Sequence, residues 1–196
     1  MATYYLETPI SEEAVRRLKV RDTVYLSGEM FTARDSAHRR ALEYVAEGKK
    51  IAIDMKGKAL FHCGPLVKAN GTYRIISAGP TTSTRMEMFE DEFIEKFGVR
   101  VVIGKGGMGL RTTEACKRFG AVYCAFTGGA GAQAGEAITR VKSVEWLDLG
   151  MPEALWILEI KEFGPLTVAI DSYGTNLYVD VAKQVEKNKE QIYNSI

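Results

Sequence analysis

The sequence lacks the features that are typical of membrane, disulfide-rich and nucleic-acid-binding proteins. Its 196 residues include only three cysteines, with no C-x-x-C pair, so neither a disulfide framework nor an iron–sulfur cluster is favoured by their spacing. The formal net charge of +1 gives no general attraction for nucleic acid or anionic lipid, so any anion binding must be local. The longest apolar runs, such as AVYCAF, are too short to cross a bilayer. The N-terminus has no basic start followed by an apolar block, so we expect no signal peptide and a cytoplasmic protein.

What the sequence does have is an alternation of strand-like and helix-like segments without internal repeats or long linkers. We therefore expect a single domain over residues 1–196, with an α/β layered fold and a mixed sheet. Phenylalanines and Met86 recur at steps of three and four before Gly98, which predicts an amphipathic helix there. Strands are predicted at 22–27, 60–63, 73–77, 100–103, 121–126, 155–160 and 166–170, and helices at 32–47, 86–97, 113–119 and 179–193.

The stretch GKGGMG, residues 104–109, follows a predicted strand and formally matches G-x-G-x-x-G. A dinucleotide site would also need an acidic residue at the end of the next strand, where the sequence has FTGG, and a helix starting at the third glycine rather than near Thr112. The stretch is not a Walker A loop, because no Gly-Lys-Ser/Thr follows. It offers Lys105 beside exposed backbone N–H groups, which suits a carboxylate or phosphate, or it is a tight turn with a solvated lysine.

The stretch GPTTSTR, residues 79–85, lies where a predicted strand hands over to a helix. Thr84 and Glu87 match a capping box, but a helix has one N-cap position and cannot use four consecutive hydroxyl residues. Arg85 in the first turn opposes the helix dipole unless an anion is bound nearby. Thr81 and Thr82 can donate hydrogen bonds to carboxylate oxygens while Arg85 makes a bidentate pair.

The stretch TARDSAHRR, residues 32–40, repeats this arrangement, with Thr32 and Asp35 as a candidate capping box. Arg34 lies in the first helical turn, and His38 projects from the same face four residues later. A single histidine is more often a surface or satisfied core residue, but its position makes His38 a candidate for proton transfer.

Together, three predicted strand–turn–helix junctions each carry a cation: Arg34, Arg85 and Lys105. Such junctions can converge on one crevice in α/β folds, and three cations with hydroxyls suit a small dicarboxylate. The sequence shows no metal-ligand cluster and no paired carboxylates near these motifs. We therefore interpret the motifs as half of an active site.

On these residues the chain resembles the β subunit, or C-terminal domain, of the iron–sulfur hydro-lyases, which comprise class I fumarate hydratases and L-tartrate dehydratases. The resemblance covers most of the chain outside the first twenty residues and the charged C-terminal tail. The blocks GPTTS-x-RM and GKGGMG are its specific part. Its motifs are ARDSAH, FHCGP, SAGPTTSTRMEMFEDEFIEKFGV, VVIGKGGMG, GMPEALW and KEFGPLTVAID.

The resemblance implies a swivelling β/β/α domain that pairs with an α subunit and acts on a small dicarboxylate. The α subunit would carry a [4Fe-4S] cluster whose open iron binds the substrate, so this chain would hold no metal. The expected reaction is reversible hydration of fumarate to malate, with L-tartrate dehydration as the alternative. A stand-alone anion- or nucleotide-binding module is the alternative from another class.

The resemblance also implies roles for individual residues. Thr81 resembles the catalytic base and Thr82 a substrate contact. Arg34, Arg85 and Lys105 resemble the clamps on the substrate carboxylates. His38 matches the histidine of the family's RD-x-x-H motif, which implies a catalytic role for it.

Overall fold

The computed structural model describes residues 1–194, which form a mixed α/β fold. The last two residues of the expected 1–196 domain lie outside this range. The strands are β1 (Thr3–Glu7), β2 (Thr23–Thr32), β3 (Ala59–Phe61), β4 (Leu66–Asn70), β5 (Thr72–Ser77), β6 (Val101–Gly104), β7 (Val122–Ala125), β8 (Ile138–Glu145) and β9 (Leu155–Ile170). The helices are α1 (Glu12–Arg16), α2 (Asp35–Ala46), α3 (Glu87–Phe97), α4 (Leu110–Phe119), α5 (Gly131–Ala137) and α6 (Leu177–Tyr193), with 3₁₀ turns at Ser83–Met86 and Leu147–Leu149. None of these helices is long and apolar enough to cross a membrane.

Seven strands form one sheet in the order β1-β2-β3-β6-β7-β9-β8, and an additional pairing joins β2 to β9. This pairing closes β2, β3, β6, β7 and β9 into a barrel-like ring. β2, β3, β6 and β7 run parallel to one another, whereas β9 is antiparallel to both of its ring neighbours. The predicted α/β fold with a mixed sheet is therefore confirmed.

The predicted break between two strands at Gly164-Pro165 is wrong, because β9 is a single strand of 16 residues. Val24 of β2 pairs with Leu166 and Leu26 pairs with Phe163, so β9 has one extra residue between these two pairs. Such a bulge accommodates a proline, which has no N–H to give to a ladder. The Gly-Pro pair bends the strand instead of ending it.

Three strands of the ring, β3, β6 and β7, are buried on both faces, and their alternate residues belong to two apolar clusters. Val101 and Ile103 of β6 pack into one cluster, while Val102 between them packs into the other. The first cluster includes Phe61, whose ring lies edge-on to that of Phe163 at a centroid distance of 5.2 Å. The second cluster lies under α2, α3 and α4. Burial on both faces explains why these strands appear in the sequence as short continuous apolar runs rather than alternating patterns.

The capping box predicted for Thr84 and Glu87 is wrong, because Glu87 caps a different helix. Its carboxylate accepts hydrogen bonds from the backbone N–H of Gly109 (2.6 Å) and Arg111 (3.1 Å) and from the Thr112 hydroxyl (2.7 Å). The Thr84 hydroxyl donates to the Gly107 carbonyl instead. A Cβ on Gly109 would lie 2.6 Å from a Glu87 oxygen, so only glycine permits this approach.

This borrowed cap also corrects the predicted start of α4. The helix begins at Leu110, three residues before the predicted start, because Glu87 satisfies N–H groups that no local side chain caps. The helix therefore does start directly after Gly109, the third glycine of the G-x-G-x-x-G pattern. Its first N–H groups already bind a carboxylate of this chain, however, which argues against a dinucleotide phosphate in that place.

We expect Glu87→Ala to lower the free energy of unfolding by about 1–2 kcal/mol, because α4 loses its N-terminal acceptor. The measurement is urea unfolding of the purified chain. Glu92→Ala on the exposed side of the same helix is the matched control, and we expect it to change stability by less than about 0.5 kcal/mol. Equal effects of the two substitutions would contradict the assignment of Glu87 as the cap.

Candidate functional site

The GPTTS stretch crosses the carboxyl ends of two parallel strands. The Thr81 N–H donates to the carbonyl of His62, the residue after β3, at 2.6 Å. The Ser83 N–H donates to the carbonyl of Lys105, the residue after β6, at 2.9 Å. Thr82 and Lys105 form an isolated parallel bridge. The structure thus brings Thr81, Thr82 and Lys105 together at one end of the ring of strands.

Arg34 follows the carboxyl end of the neighbouring strand β2, and Glu153 holds it. Its Nε lies 3.1 Å from one Glu153 carboxylate oxygen, and the other oxygen accepts a 2.9 Å hydrogen bond from the Ser36 N–H at the start of α2. The capping box predicted for Thr32 and Asp35 is therefore wrong. The Thr32 side chain accepts a hydrogen bond from the Trp156 N–H instead, because Thr32 is the last residue of β2.

Arg85 reaches across to the start of α2 and binds Asp35, the residue after Arg34. The guanidinium makes two hydrogen bonds to the carboxylate, Nη2 to Oδ2 at 2.5 Å and Nε to Oδ1 at 3.2 Å. The Arg85 side chain is 51% exposed, so this pair lies at the surface of the crevice. The guanidinium thus already holds a carboxylate in the bidentate geometry that carboxylate recognition uses.

Lys105, Thr81 and Thr82 offer groups that the described part of the chain leaves unoccupied. Lys105 is exposed, its aliphatic stem lies against Gly128 in the loop after β7, and its ammonium forms no ion pair with residues 1–194. Thr82 is exposed and Thr81 half-buried, and neither hydroxyl makes a hydrogen bond within that range. An ammonium and two hydroxyls at one edge form a place for an anion with several oxygens.

His38, in contrast, is completely buried and does not line the exposed crevice. Its Nδ1 lies 2.9 Å from the Arg34 carbonyl, to which it can only donate. Its Nε2 lies 3.5 Å from a carboxylate oxygen of Glu90, also fully buried. The structure therefore separates the His38 side chain from the other candidate residues, although this side chain bonds the backbone carbonyl of Arg34. A catalytic part for His38 stays a prediction.

His62 and Glu90 join His38 in a buried cluster that the sequence reasoning missed. The His62 Nε2 lies 2.8 Å from Glu90 Oε2, and the His62 Nδ1 lies 2.9 Å from the Ser83 hydroxyl. A signal was available, because Glu90 comes four residues after Met86 and three before Phe93, on the apolar face of α3. A carboxylate on such a face needs buried partners.

The carboxyl of Glu90 is held in its ionised form. Burial alone raises its pKa, but the charge and hydrogen bond of His62, with His38 nearby, outweigh burial and lower the pKa to about 2. Burial lowers the pKa of His62, against the attraction of Glu90. The cluster thus carries a buried negative charge whose neutralisation depends on two imidazoles.

We expect the stability that Glu90 contributes to be lost as the pH falls from about 4.5 towards 2, because its pKa is lower in the folded chain than in the unfolded one. At pH 7, Glu90→Gln should lower the free energy of unfolding by about 3 kcal/mol. The difference between variant and parent should shrink progressively below pH 4.5. Urea unfolding from pH 7 to pH 3 measures it, with Glu92→Gln as the exposed control. A difference that does not change with pH would contradict an ionised Glu90.

The cysteines do not fit an iron–sulfur cluster within this chain. Burial raises the pKa of the Cys116 thiol, and it raises the pKa of the Cys124 thiol to about 12. Burial also raises the pKa of the Cys63 thiol to about 12, although the charge of Arg34 acts in the opposite direction. Cluster ligands are thiolates, which these environments disfavour. Among the described residues, the one set of three potential ligand groups lying within 4.8 Å of one another contains no cysteine.

Known proteins resemble this chain over nearly its whole length. A family model described as Fumarase C-terminus matches residues 2–181. The chain is 44% identical to the L(+)-tartrate dehydratase subunit beta of Escherichia coli, over 97% of this chain and 94% of that protein. It is 41% identical to a protein of Methanocaldococcus jannaschii named provisionally as the same subunit, over 96% and 98% of the two chains. It is 38% identical to a protein of Geobacillus stearothermophilus named provisionally as a class I fumarate hydratase, over 96% of this chain and 37% of that protein.

Proposed function

Because the chain belongs to the Fumarase C-terminus family, we propose that it is the β subunit of an iron–sulfur-dependent hydro-lyase that interconverts fumarate and malate. The observation that carries the proposal is the convergence of cations and free hydroxyls at the carboxyl ends of β2, β3 and β6. Thr82 and Lys105 pair directly there, and Arg85 binds the residue next to Arg34. A C4 dicarboxylate is a small dianion that such a set can hold at both ends.

The two arginines bind carboxylates in the substrate-free chain, and this supports their proposed role as clamps. Asp35 occupies the bidentate face of Arg85, and Glu153 lies against Arg34. A substrate carboxylate would replace Asp35 at a partly exposed guanidinium, exchanging one carboxylate for another at small cost in desolvation. Lys105 needs no such exchange, since its ammonium has no carboxylate partner among residues 1–194.

Thr81 is the proposed base, and its backbone is fixed for that role on both sides. Its N–H donates to the His62 carbonyl, and its own carbonyl accepts from the Lys105 N–H at 3.4 Å. A threonine hydroxyl is a poor base at neutral pH and needs an activating neighbour. No side chain within residues 1–194 accepts the Thr81 hydroxyl proton, so we infer that activation comes from nearby cations or from the partner subunit.

In the proposed dehydration of malate, an activated Thr81 receives the proton that leaves one carbon, and the C–O bond of the adjacent carbon breaks. The departing hydroxide takes up a proton, which Thr81 can return, and leaves as water. Negative charge spreads onto the neighbouring carboxylate as the proton departs. Arg34, Arg85 and Lys105 would stabilise that charge, a role that fixed cations perform better than water does. Thr82 would donate a hydrogen bond to a substrate oxygen.

We infer that an α subunit supplies the [4Fe-4S] cluster, since the thiols of this chain do not suit one. The cations and hydroxyls described above would bind and orient a substrate, and the cluster would supply the Lewis acid that assists departure of the hydroxide. The relatives named as β subunits support a hetero-oligomer.

L-tartrate dehydration is the second candidate, and the 44% identity to the Escherichia coli subunit favours it. Both substrates are C4 dicarboxylates, and the residues of this half-site bind features that they share. The stand-alone nucleotide-binding module is disfavoured, because Glu87 already occupies the first N–H groups of α4.

We expect the purified chain alone to have no hydratase or dehydratase activity. Activity should appear after anaerobic reconstitution with the α subunit, and it is assayed against malate, fumarate and both tartrate enantiomers. Turnover of malate or fumarate supports the first assignment, and turnover of L-tartrate alone supports the second. Activity of this chain without a partner would contradict the half-site.

We expect Arg85→Ala and Thr81→Ala to lower kcat/KM of the assembled enzyme by a factor of about 100 or more, because a clamp or the base is lost. Folding should be nearly unaffected, since the exposed Arg85–Asp35 pair contributes within about 1 kcal/mol. Steady-state kinetics and thermal unfolding measure the two effects. Arg39→Ala, on the exposed surface of α2, is the matched control and should keep full activity. Parental rates in either variant would remove that residue from the site.

A further inference from the structure

Three loops that carry the proposed substrate groups are attached to one buried cluster. The His38 Nδ1–H donates to the carbonyl of Arg34 at 2.9 Å. The His62 Nδ1 lies 2.9 Å from the hydroxyl of Ser83, which stands between Thr82 and Arg85. Each of these hydrogen bonds joins a fully buried imidazole to one of the loops.

The third attachment runs through Tyr123 of β7. Its hydroxyl donates to the carbonyl of Gly106, the residue after Lys105, at 2.8 Å, and it lies 3.0 Å from the Ser83 hydroxyl. Ser83 thus stands where the attachments of two loops meet. Each of the three cationic junctions therefore has its own hydrogen-bonded connection to the interior.

Glu90 is the centre of the cluster. One carboxylate oxygen lies 2.8 Å from His62 Nε2 and 3.5 Å from His38 Nε2, and all three side chains are 0% exposed. A group enclosed in this way cannot touch a substrate in the crevice. Both histidines of the chain therefore direct one ring nitrogen to Glu90 and the other to a substrate-binding loop.

Gly104, the first glycine of GKGGMG, is required for this arrangement. A Cβ at that position would lie 1.8 Å from the Ser83 hydroxyl oxygen and 3.2 Å from His62 Nδ1. No side chain can therefore replace Gly104 while Ser83 bonds His62. This accounts for a motif residue that the proposed substrate contacts leave unexplained.

We propose that Glu90, His62 and Ser83 are positioning residues, which fix the Thr82–Arg85 loop relative to the Arg34 loop held by His38 and the Lys105 loop held by Tyr123, without touching substrate. The inference rests on the proposed function for its kinetic part only. A displacement of about 1 Å in a catalytic group can cost a factor of about 100 in rate, so a cluster that fixes three loops matters to turnover.

Ser83→Ala is the sharpest variant, because it cuts the connection of the Thr82–Arg85 loop to the cluster and leaves Glu90 and both histidines in place. In the assembled enzyme we expect kcat/KM to fall by a factor of about 10–100. Ser172→Ala is the matched control, since Ser172 is also buried and its hydroxyl lies outside the cluster. We expect Ser172→Ala to keep the parental kinetics, and parental kinetics in Ser83→Ala would overturn the proposal.

A double-mutant cycle with Arg85 separates positioning from a general loss of stability. If Ser83 acts by placing Arg85, the factor by which Arg85→Ala lowers kcat/KM should be at least ten times smaller in the Ser83→Ala enzyme than in the parent. A purely structural role leaves the two effects additive, which would overturn the proposal.

Amide hydrogen exchange of the full chain tests the inference without any assay of activity. In Ser83→Ala we expect faster exchange at residues 82–86, and in Glu90→Gln at residues 34–36 and 82–86, than in the parent or in Ser172→Ala. Unchanged exchange in these segments would overturn the positioning role even if the enzyme is a hydro-lyase. Faster exchange in an assembly that turns over no dicarboxylate would uphold the cluster and reject the proposed function.

The same three groups could in principle be ligands of a divalent metal, because two imidazole nitrogens and a carboxylate converge. The direct 2.8 Å contact between His62 and Glu90 suits a shared proton instead. Elemental analysis of the freshly purified full chain decides between them. We expect less than about 0.1 metal ion per chain. Zinc or iron near one per chain, lost in Glu90→Gln, would overturn the proposal in favour of a metal centre.

Discussion

The antiparallel pairing of β2 with β9 is the constraint on which the rest of the structure depends. It runs from Thr23 opposite Thr167 to Phe31 opposite Ile157, and it converts an open sheet into a closed ring. Because β2, β3 and β6 are parallel, closure places their carboxyl ends around one opening. Arg34 and Lys105 follow β2 and β6, and Thr81 lies in the segment after β5 that bonds the His62 carbonyl at the end of β3. The topology thus brings these candidate groups together.

The three candidate cations differ in whether a carboxylate of the chain already pairs with them. Arg34 and Arg85 lie against carboxylates of the chain itself, whereas Lys105 has no such partner within residues 1–194. An internal carboxylate keeps a guanidinium oriented and limits the cost of holding like charges close together. An incoming ligand must then offer at least as good a carboxylate as the one it displaces. This arrangement favours dianions of suitable length over simple monovalent anions.

Much of the framework could be predicted from residue patterns, because burial on both faces and helical spacing leave clear traces in the sequence. The helix with Phe93 and Phe97 ends at Gly98 as predicted, and the positive φ of that glycine explains why. Both predicted capping boxes failed for one reason. Spacing along the sequence cannot reveal that the Glu87 carboxylate binds the start of α4 and that the Glu153 carboxylate binds the start of α2.

The candidate site residues could be proposed from the sequence only where a cation stands at a predicted strand–turn–helix junction. Arg34, Arg85 and Lys105 stood out as cations in places where a cation is locally unfavourable or unneeded. Their convergence was an inference from topology that the hydrogen bonds now support. His62 lies in an apolar strand-like run and Glu90 is one of several acidic residues of α3, so neither stands out in the sequence. Their role depends on a contact between residues 28 positions apart.

The cap that Glu87 lends to α4 has a consequence for how this region loses order. Glu87 begins the helix that follows Arg85, and its carboxylate holds the helix that follows the Lys105 loop. Neither helix can fray at that end without breaking a hydrogen bond to the other, so the two should open as one cooperative unit. Thermal fluctuations would then dismantle two walls of the crevice together, leaving few half-formed sites that bind substrate unproductively.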